Sequence, residues 1–213
     1  MKKLVVTLSL LISGLILSAQ GNEKSLKYDF FTPVGGCMGF SLEVPRSDFI
    51  SMDYDAGMIG LRLGDYFERD KFMGGYAAFG PRMYFRKDDA AVNDMKGLYF
   101  KPMVMVNYFA WTDSLSYYDY TVFPYVYYAD EVSGTDFTLN LLAVIGSQWI
   151  LSDLIVFDLW FGLGYGGGWQ SYDAGAVPQE FLNNVDEPFK YNYVRFGDSP
   201  LIFDGGLSIG FKF

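Results

Sequence analysis

No histidine occurs in the 213 residues, and Cys37 is the single cysteine. Without an imidazole, every mechanism that needs one as general base, general acid or metal ligand is excluded. One thiol cannot close an intramolecular disulfide, and with no histidine beside it the usual structural zinc sites are excluded too. Positive charge is scarce: 16 Lys and Arg face 25 Asp and Glu, a net charge of −9. Such an acidic balance argues against nucleic acid as a partner, which calls for a basic face. Long apolar runs are missing as well. The longest, Leu4–Leu17, falls short of the roughly 18 residues that a membrane-spanning helix requires.

What the chain does have is aromatic residues and glycine: 20 Phe, 17 Tyr and 24 Gly. With near-neutral mean hydropathy of +0.12, this is the composition of alternating strands and not of spanning helices. The last fourteen residues show the pattern best. Leu201, Phe203, Leu207, Ile209, Phe211 and Phe213 share one parity, Asp204, Gly206, Ser208, Gly210 and Lys212 the other, and Ile202 is the exception. Side chains alternate faces along a strand, so one face is apolar and the other small or charged. A strand of this kind ending on an aromatic residue suits the closing seam of a barrel in a bilayer. At the other end, Lys2 and Lys3 precede the apolar run and Ser18-Ala19-Gln20 supplies small residues. Residues 1–19 therefore read as a signal peptide, with residues 20–213 as a single exported domain.

The mature chain reads as strand, turn, strand, with no helical stripe. Stretches expected to be strands are Tyr54–Gly64, Phe72–Arg86, Gly97–Trp111, Tyr117–Tyr128, Asp136–Ile150, Leu154–Gly168 and the carboxyl-terminal segment. An even count is expected for a spanning barrel, so the eighth strand is assigned to Leu26–Val44, kinked at Pro33, Gly35 and Gly36. Ten strands would result if Val185–Phe196 also paired. The expected fold is an all-β, closed, antiparallel up-and-down barrel. Short turns are expected on the side of the termini at Asp65–Lys71, Thr112–Ser116 and Leu151–Asp153. The opposite side would carry Pro45–Ser47, Lys87–Lys96, Ala129–Thr135 and the long Gln170–Ser199. Aromatic belts would then hold Trp111, Trp149 and Phe213 at one interface and Phe85, Tyr128 and Trp169 at the other.

Inward parity is assigned to Glu43, Arg82, Lys101, Asp158, Asp204 and Lys212. Buried charges persist when paired, and eight strands leave an interior just wide enough for side chains to fill. The expectation is a packed polar network, with glycines 162, 164, 166, 206 and 210 making room for bulky groups such as Trp160. A narrow ion path along the same charges is the alternative. Asp158 and Asp204 on adjacent strands are the one carboxylate pair suited to acid–base work, but Arg82 and Lys101 explain them as counter-ions. No catalytic residue, cofactor or metal site is assigned. In the long last loop, Phe181, Phe189, Tyr191 and Tyr193 lie among acidic residues. They form the best candidate contact surface for an extracellular protein or glycan.

The alternating carboxyl-terminal segment with Ile209, Phe211 and terminal Phe213 resembles the assembly signal of small outer-membrane β-barrels, the OmpA-like transmembrane domains and related barrels. Ser208 stands where that signal usually carries glycine. The resemblance covers nearly the whole mature chain as a pattern. It implies the outer membrane of a Gram-negative bacterium as location, with outer-membrane lipid and lipopolysaccharide as surroundings. It also implies the outer-membrane assembly machinery and periplasmic chaperones as transient partners. The expected function is non-enzymatic, structural or surface-interacting; a small ion or solute channel and a soluble periplasmic lipocalin-like binding barrel are the alternatives.

Overall fold

The computed structural model describes residues 23–29, 37–59, 71–85, 95–119, 126–173, 194–195 and 200–213. The signal segment 1–19 and the four aromatic residues Phe181, Phe189, Tyr191 and Tyr193 lie outside them. The strands are β1 (Ser25–Asp29), β2 (Cys37–Pro45), β3 (Ile50–Ile59), β4 (Lys71–Tyr84), β5 (Gly97–Asp119), β6 (Val126–Leu151), β7 (Ile155–Asp173), β8 (Val194–Arg195) and β9 (Leu201–Lys212). Each pairs antiparallel with its neighbour in the order β1-β2-β3-β4-β5-β6-β7-β9, and β1 pairs with β9 to close the ring. The closed barrel thus has eight strands. β8 adds only two pairs to the free edge of β9, Val194↔Phe203 and Arg195↔Ile202, so the ten-strand count does not hold.

The eight strands are not the eight read from the sequence. The segment 26–44 is no single kinked strand: Ser25–Asp29 and Cys37–Pro45 are two strands paired as a hairpin, Ser25 opposite Glu43. The turn-forming residues Pro33, Gly35 and Gly36 fall between them. Conversely, 117–128 is not a strand of its own. Thr112–Ser116 continues β5 and Ala129–Thr135 continues β6, paired from Thr112↔Ser133 to Asp119↔Val126. One split and one merger leave the count unchanged.

Sidedness changes with this correction. Both termini sit at one end, where the Lys24 and Phe213 backbones exchange hydrogen bonds of 2.7 and 2.8 Å. Following the strands from there, Arg46–Phe49, the β4–β5 connection and Ser152–Leu154 all join strands at the terminal end. The β3–β4, β5–β6 and β7–β9 connections lie at the other. The Lys87–Lys96 and Gln170–Ser199 connections, expected on one side, therefore leave the barrel at opposite ends. At the terminal end, Ser152 and Asp153 both adopt φ near +54° and Leu154 N–H bonds to the Leu151 carbonyl at 3.1 Å, a type I′ hairpin turn.

Alternation decides what each wall presents. Outward positions carry exposed Leu26, Phe40, Phe79, Leu98, Leu141, Ile145, Leu159, Phe161, Leu163 and Phe211. Inward, β1–β3 present Ser25, Lys27, Asp29, Ser41, Glu43, Ser51 and Asp53, all buried. The facing wall is mixed: Tyr99, Met103, Met105, Leu142, Val144, Val156 and Ile202 form an apolar cluster beside Trp160. Ile202, the parity exception, points inward into that cluster. Trp149 and Phe213 are exposed at the terminal end and Trp169 at the other, where it packs on Phe137 with ring centroids 5.6 Å apart. Phe85, expected at the far interface, is exposed at the terminal end instead. Trp111 is not in a belt at all: it is buried in the lumen, its Nε1–H donating to Asp136 at 2.9 Å.

Room for the inward rings comes from inward glycines, though not those expected beside Trp160. A Cβ on Gly146 would run into the Tyr99 ring, and one on Gly57 into the Tyr76 ring and the Met38 carbonyl. Glycine is required at both positions for close approach.

Candidate functional site: the ion network across the lumen

The polar wall and the mixed wall meet in one network near the terminal end of the barrel. Lys27 on β1 reaches Glu43 on β2 at 3.2 Å, Asp158 on β7 at 3.2 Å and the Gln148 carbonyl on β6 at 3.0 Å. Arg82 on β4 places Nη2 2.6 Å from Asp53 Oδ2 on β3, with Nε at 2.9 Å, and Nη1 2.6 Å from Asp158 Oδ2. Its guanidinium stacks over the Tyr99 ring at 4.3 Å. Lys101 on β5 donates to Asp53 at 2.7 Å and Asp55 at 3.1 Å. Every barrel strand except β9 supplies a member.

Hydroxyls and an amide satisfy the remaining lone pairs. Glu43 accepts from Tyr84 at 2.6 Å, from Ser51 and from Gln148 Nε2 at 2.9 Å. Tyr99 donates to Asp158 Oδ1 at 2.8 Å and Ser41 to Asp53 Oδ1 at 2.7 Å. Gln148 also donates to the Met95 carbonyl at 2.7 Å, which ties the network to the connection entering β5. Isolated buried charges are very costly, and excellent geometry with every lone pair used is the condition under which a buried cluster persists.

Among the inward residues assigned from sequence, Glu43, Arg82, Lys101 and Asp158 come together here. Lys212 does not: it is buried on the same face but pairs with Glu23 at the terminal rim. Nor does Asp204, which accepts from the Gly205 backbone at 2.9 Å and lies farther along the lumen. Lys101 forms its direct ion pairs with Asp53 and Asp55 and lines the same cavity as Asp204. Asp158 is opposite Ser208 in register and Asp204 opposite Gly162, so the two carboxylates are not a cross-strand pair.

Lys27, Asp53, Asp55 and Gln148 were not assigned from sequence. Lys27 was masked by reading 26–44 as one strand; its signal is the alternation Ser25, Lys27, Asp29 against Leu26 and Tyr28. Asp53 lies just ahead of the expected strand start at Tyr54, whereas β3 begins four residues earlier, at Ile50. Bordering the network at Arg82, Lys101 and Asp55, a cavity of about 20 Å³ is lined also by Asp29, Asp204, Tyr76 and Trp160, the volume of a single water position. Ser208 donates to Asp29 there at 2.6 Å. Among the described residues, no group of three or more His, Cys, Asp or Glu is arranged to hold a metal ion.

Compared with family models, curated proteins and solved structures, the chain matches none. Function must be argued from the geometry.

Proposed function

We propose that the chain is a non-enzymatic outer-membrane barrel of a Gram-negative bacterium, resembling the small OmpA-like barrels, with a structural or surface-contact role. The observation that carries this reading is the inverted polarity of the fold. Large apolar side chains such as Leu141, Leu159, Phe161 and Tyr165 are 54–62% exposed around the outside, while charged residues fill the inside. A barrel in water would bury the first set and expose the second; a bilayer rewards this arrangement. The ring closes through the β1–β9 pairing, so the strands satisfy one another's backbone around the circuit, as a bilayer requires. The same polarity counts against the soluble lipocalin-like alternative.

The ion network bears on the channel alternative. Side chains from seven strands meet across the lumen, so a conducting path would have to break the Lys27–Asp158 and Arg82–Asp158 contacts. This supports a closed barrel that presents loops at its far end. Asp158 is engaged by Arg82, Lys27 and Tyr99, which supports a structural part for it.

Membrane fractionation with boiled and unboiled lanes on a detergent gel tests the reading. Expected is a band in the outer-membrane fraction that migrates differently after boiling; a soluble band with no shift would overturn it.

A further inference from the structure

The two longest strands outrun the barrel. β5 pairs with β4 as far as Thr112, opposite Lys71, and β6 pairs with β7 as far as Ser133, opposite Asp173. Beyond those points, among the described residues, 113–119 and 126–132 pair only with each other, from Asp113↔Val132 to Asp119↔Val126. At about 3.3 Å per residue, seven pairs make a ribbon roughly 23 Å long. It stands past the barrel at the end away from both termini. Its two outer edges carry backbone donors and acceptors with no ladder partner among the described residues, the ordinary template for an added strand.

The chemistry of the ribbon narrows the partner. Tyr117 is opposite Tyr128 and Tyr118 opposite Tyr127 in register. Asp113, Asp119, Asp130 and Glu131 lie on the same two strands, and no Lys or Arg occurs between Lys101 and Lys190. An edge unpaired among the described residues and carrying one sign of charge discourages pairing with a second copy of this acidic chain, whose net charge is −9. Neither a glycan nor a lipid offers a matching backbone ladder. We propose that the ribbon binds an extended cationic polypeptide segment, which adds as a further strand along its edge. This deepens the surface-contact reading above and rests on it.

The test uses the full chain refolded in detergent micelles and three dye-labelled ten-residue peptides followed by fluorescence anisotropy. One alternates Lys and Val, one alternates Glu and Val, and one is the Lys–Val peptide N-methylated at alternate residues. Expected is binding of the Lys–Val peptide that weakens with salt, with both other peptides at least roughly tenfold weaker. Replacing Asp113, Asp119 and Asp130 by Asn and Glu131 by Gln is expected to weaken binding roughly tenfold. Deleting 114–118 together with 127–131, which removes five facing pairs, should abolish it.

Equal binding of the N-methylated peptide would overturn strand addition, and equal binding of the Glu–Val peptide would overturn the charge argument. The gel shift on boiling, run on the same samples, separates the two readings. A chain that shifts but binds none of the peptides overturns this inference alone. A wild-type chain with no shift overturns the membrane reading on which it rests.

Discussion

The Arg82 guanidinium lies 4.3 Å above the centre of the Tyr99 ring, and both side chains grip the same carboxylate, Asp158, through separate oxygens. Stacking fixes the plane of the guanidinium, so that its Nε and Nη2 edge is presented to Asp53 on the neighbouring strand β3 while Nη1 reaches across the lumen to Asp158 on β7. β3, β4, β5 and β7 are thereby locked by two residues whose sequence separation is only seventeen. The arrangement uses the planar fork that distinguishes arginine from lysine.

Arg82→Met should destabilise the barrel by about 3–5 kcal/mol, because it leaves Asp53 and Asp158 facing each other with fewer partners. Arg82→Lys should recover only part of the loss, since lysine lacks the fork. Urea unfolding of the protein refolded into lipid vesicles would measure both. A loss of less than about 1 kcal/mol for the methionine variant would show that the network is solvated and not closed.

Gly146→Ala should cost about 1–3 kcal/mol by forcing the Tyr99 ring out of its seat. In a Tyr99→Leu background the same substitution should cost much less, because the atoms nearest the new Cβ all belong to Tyr99. A double-mutant cycle in urea gives the coupling; additive effects would place the strain elsewhere.

Leu141→Arg reads the outward face. Leu141 is 58% exposed and, opposite Val104 and Tyr165, lies well inside the apolar band. Near the bilayer midplane it should cost roughly 2–4 kcal/mol, whereas Ile209→Arg, three residues from the end of β9, should cost less. Similar and negligible losses at both sites would point to water outside the barrel.

Asp153→Gly in the Ser152–Asp153 turn should stabilise by about 0.5–1 kcal/mol. A type I′ turn requires positive φ at both central residues, and glycine adopts it without the Cβ penalty. The measurement is the shift in urea midpoint at unchanged slope; a lower midpoint would show that the Asp153 side chain holds the turn.

Planar-bilayer recording of the purified protein should show no unitary current steps, because ion-paired side chains from six strands, with Gln148 from a seventh, meet across the lumen. Steps that persist in the wild type would favour the channel alternative.

Within the barrel, parity was legible from sequence because lipid and lumen impose opposite demands on successive residues. Arg82, Lys101 and Asp158 were placed inward on that ground alone. Where the chain leaves the barrel the pattern is harder to read. Polar residues outnumber apolar ones in Thr112–Ser116 and Ala129–Thr135, so both read as turns, although buried Val132 between exposed Glu131 and Ser133 keeps the alternation. The hairpin in 26–44 was hidden for a related reason: β1 is only five residues long, too short for its own alternation to stand out. The tyrosines and acids of the ribbon were visible in sequence, but their meeting across β5 and β6 depended on knowing that these strands continue.

The sequence by itself determined the class of fold and the face on which most barrel residues lie, since a period of two is a local property of extended chain. Only the tertiary structure decided which charges meet. Lys27 and Asp158 are 131 residues apart, and they come together because β1 and β7 are both neighbours of β9 in the closed ring. Ring closure and register are set by pairing across the whole chain, which no local pattern encodes.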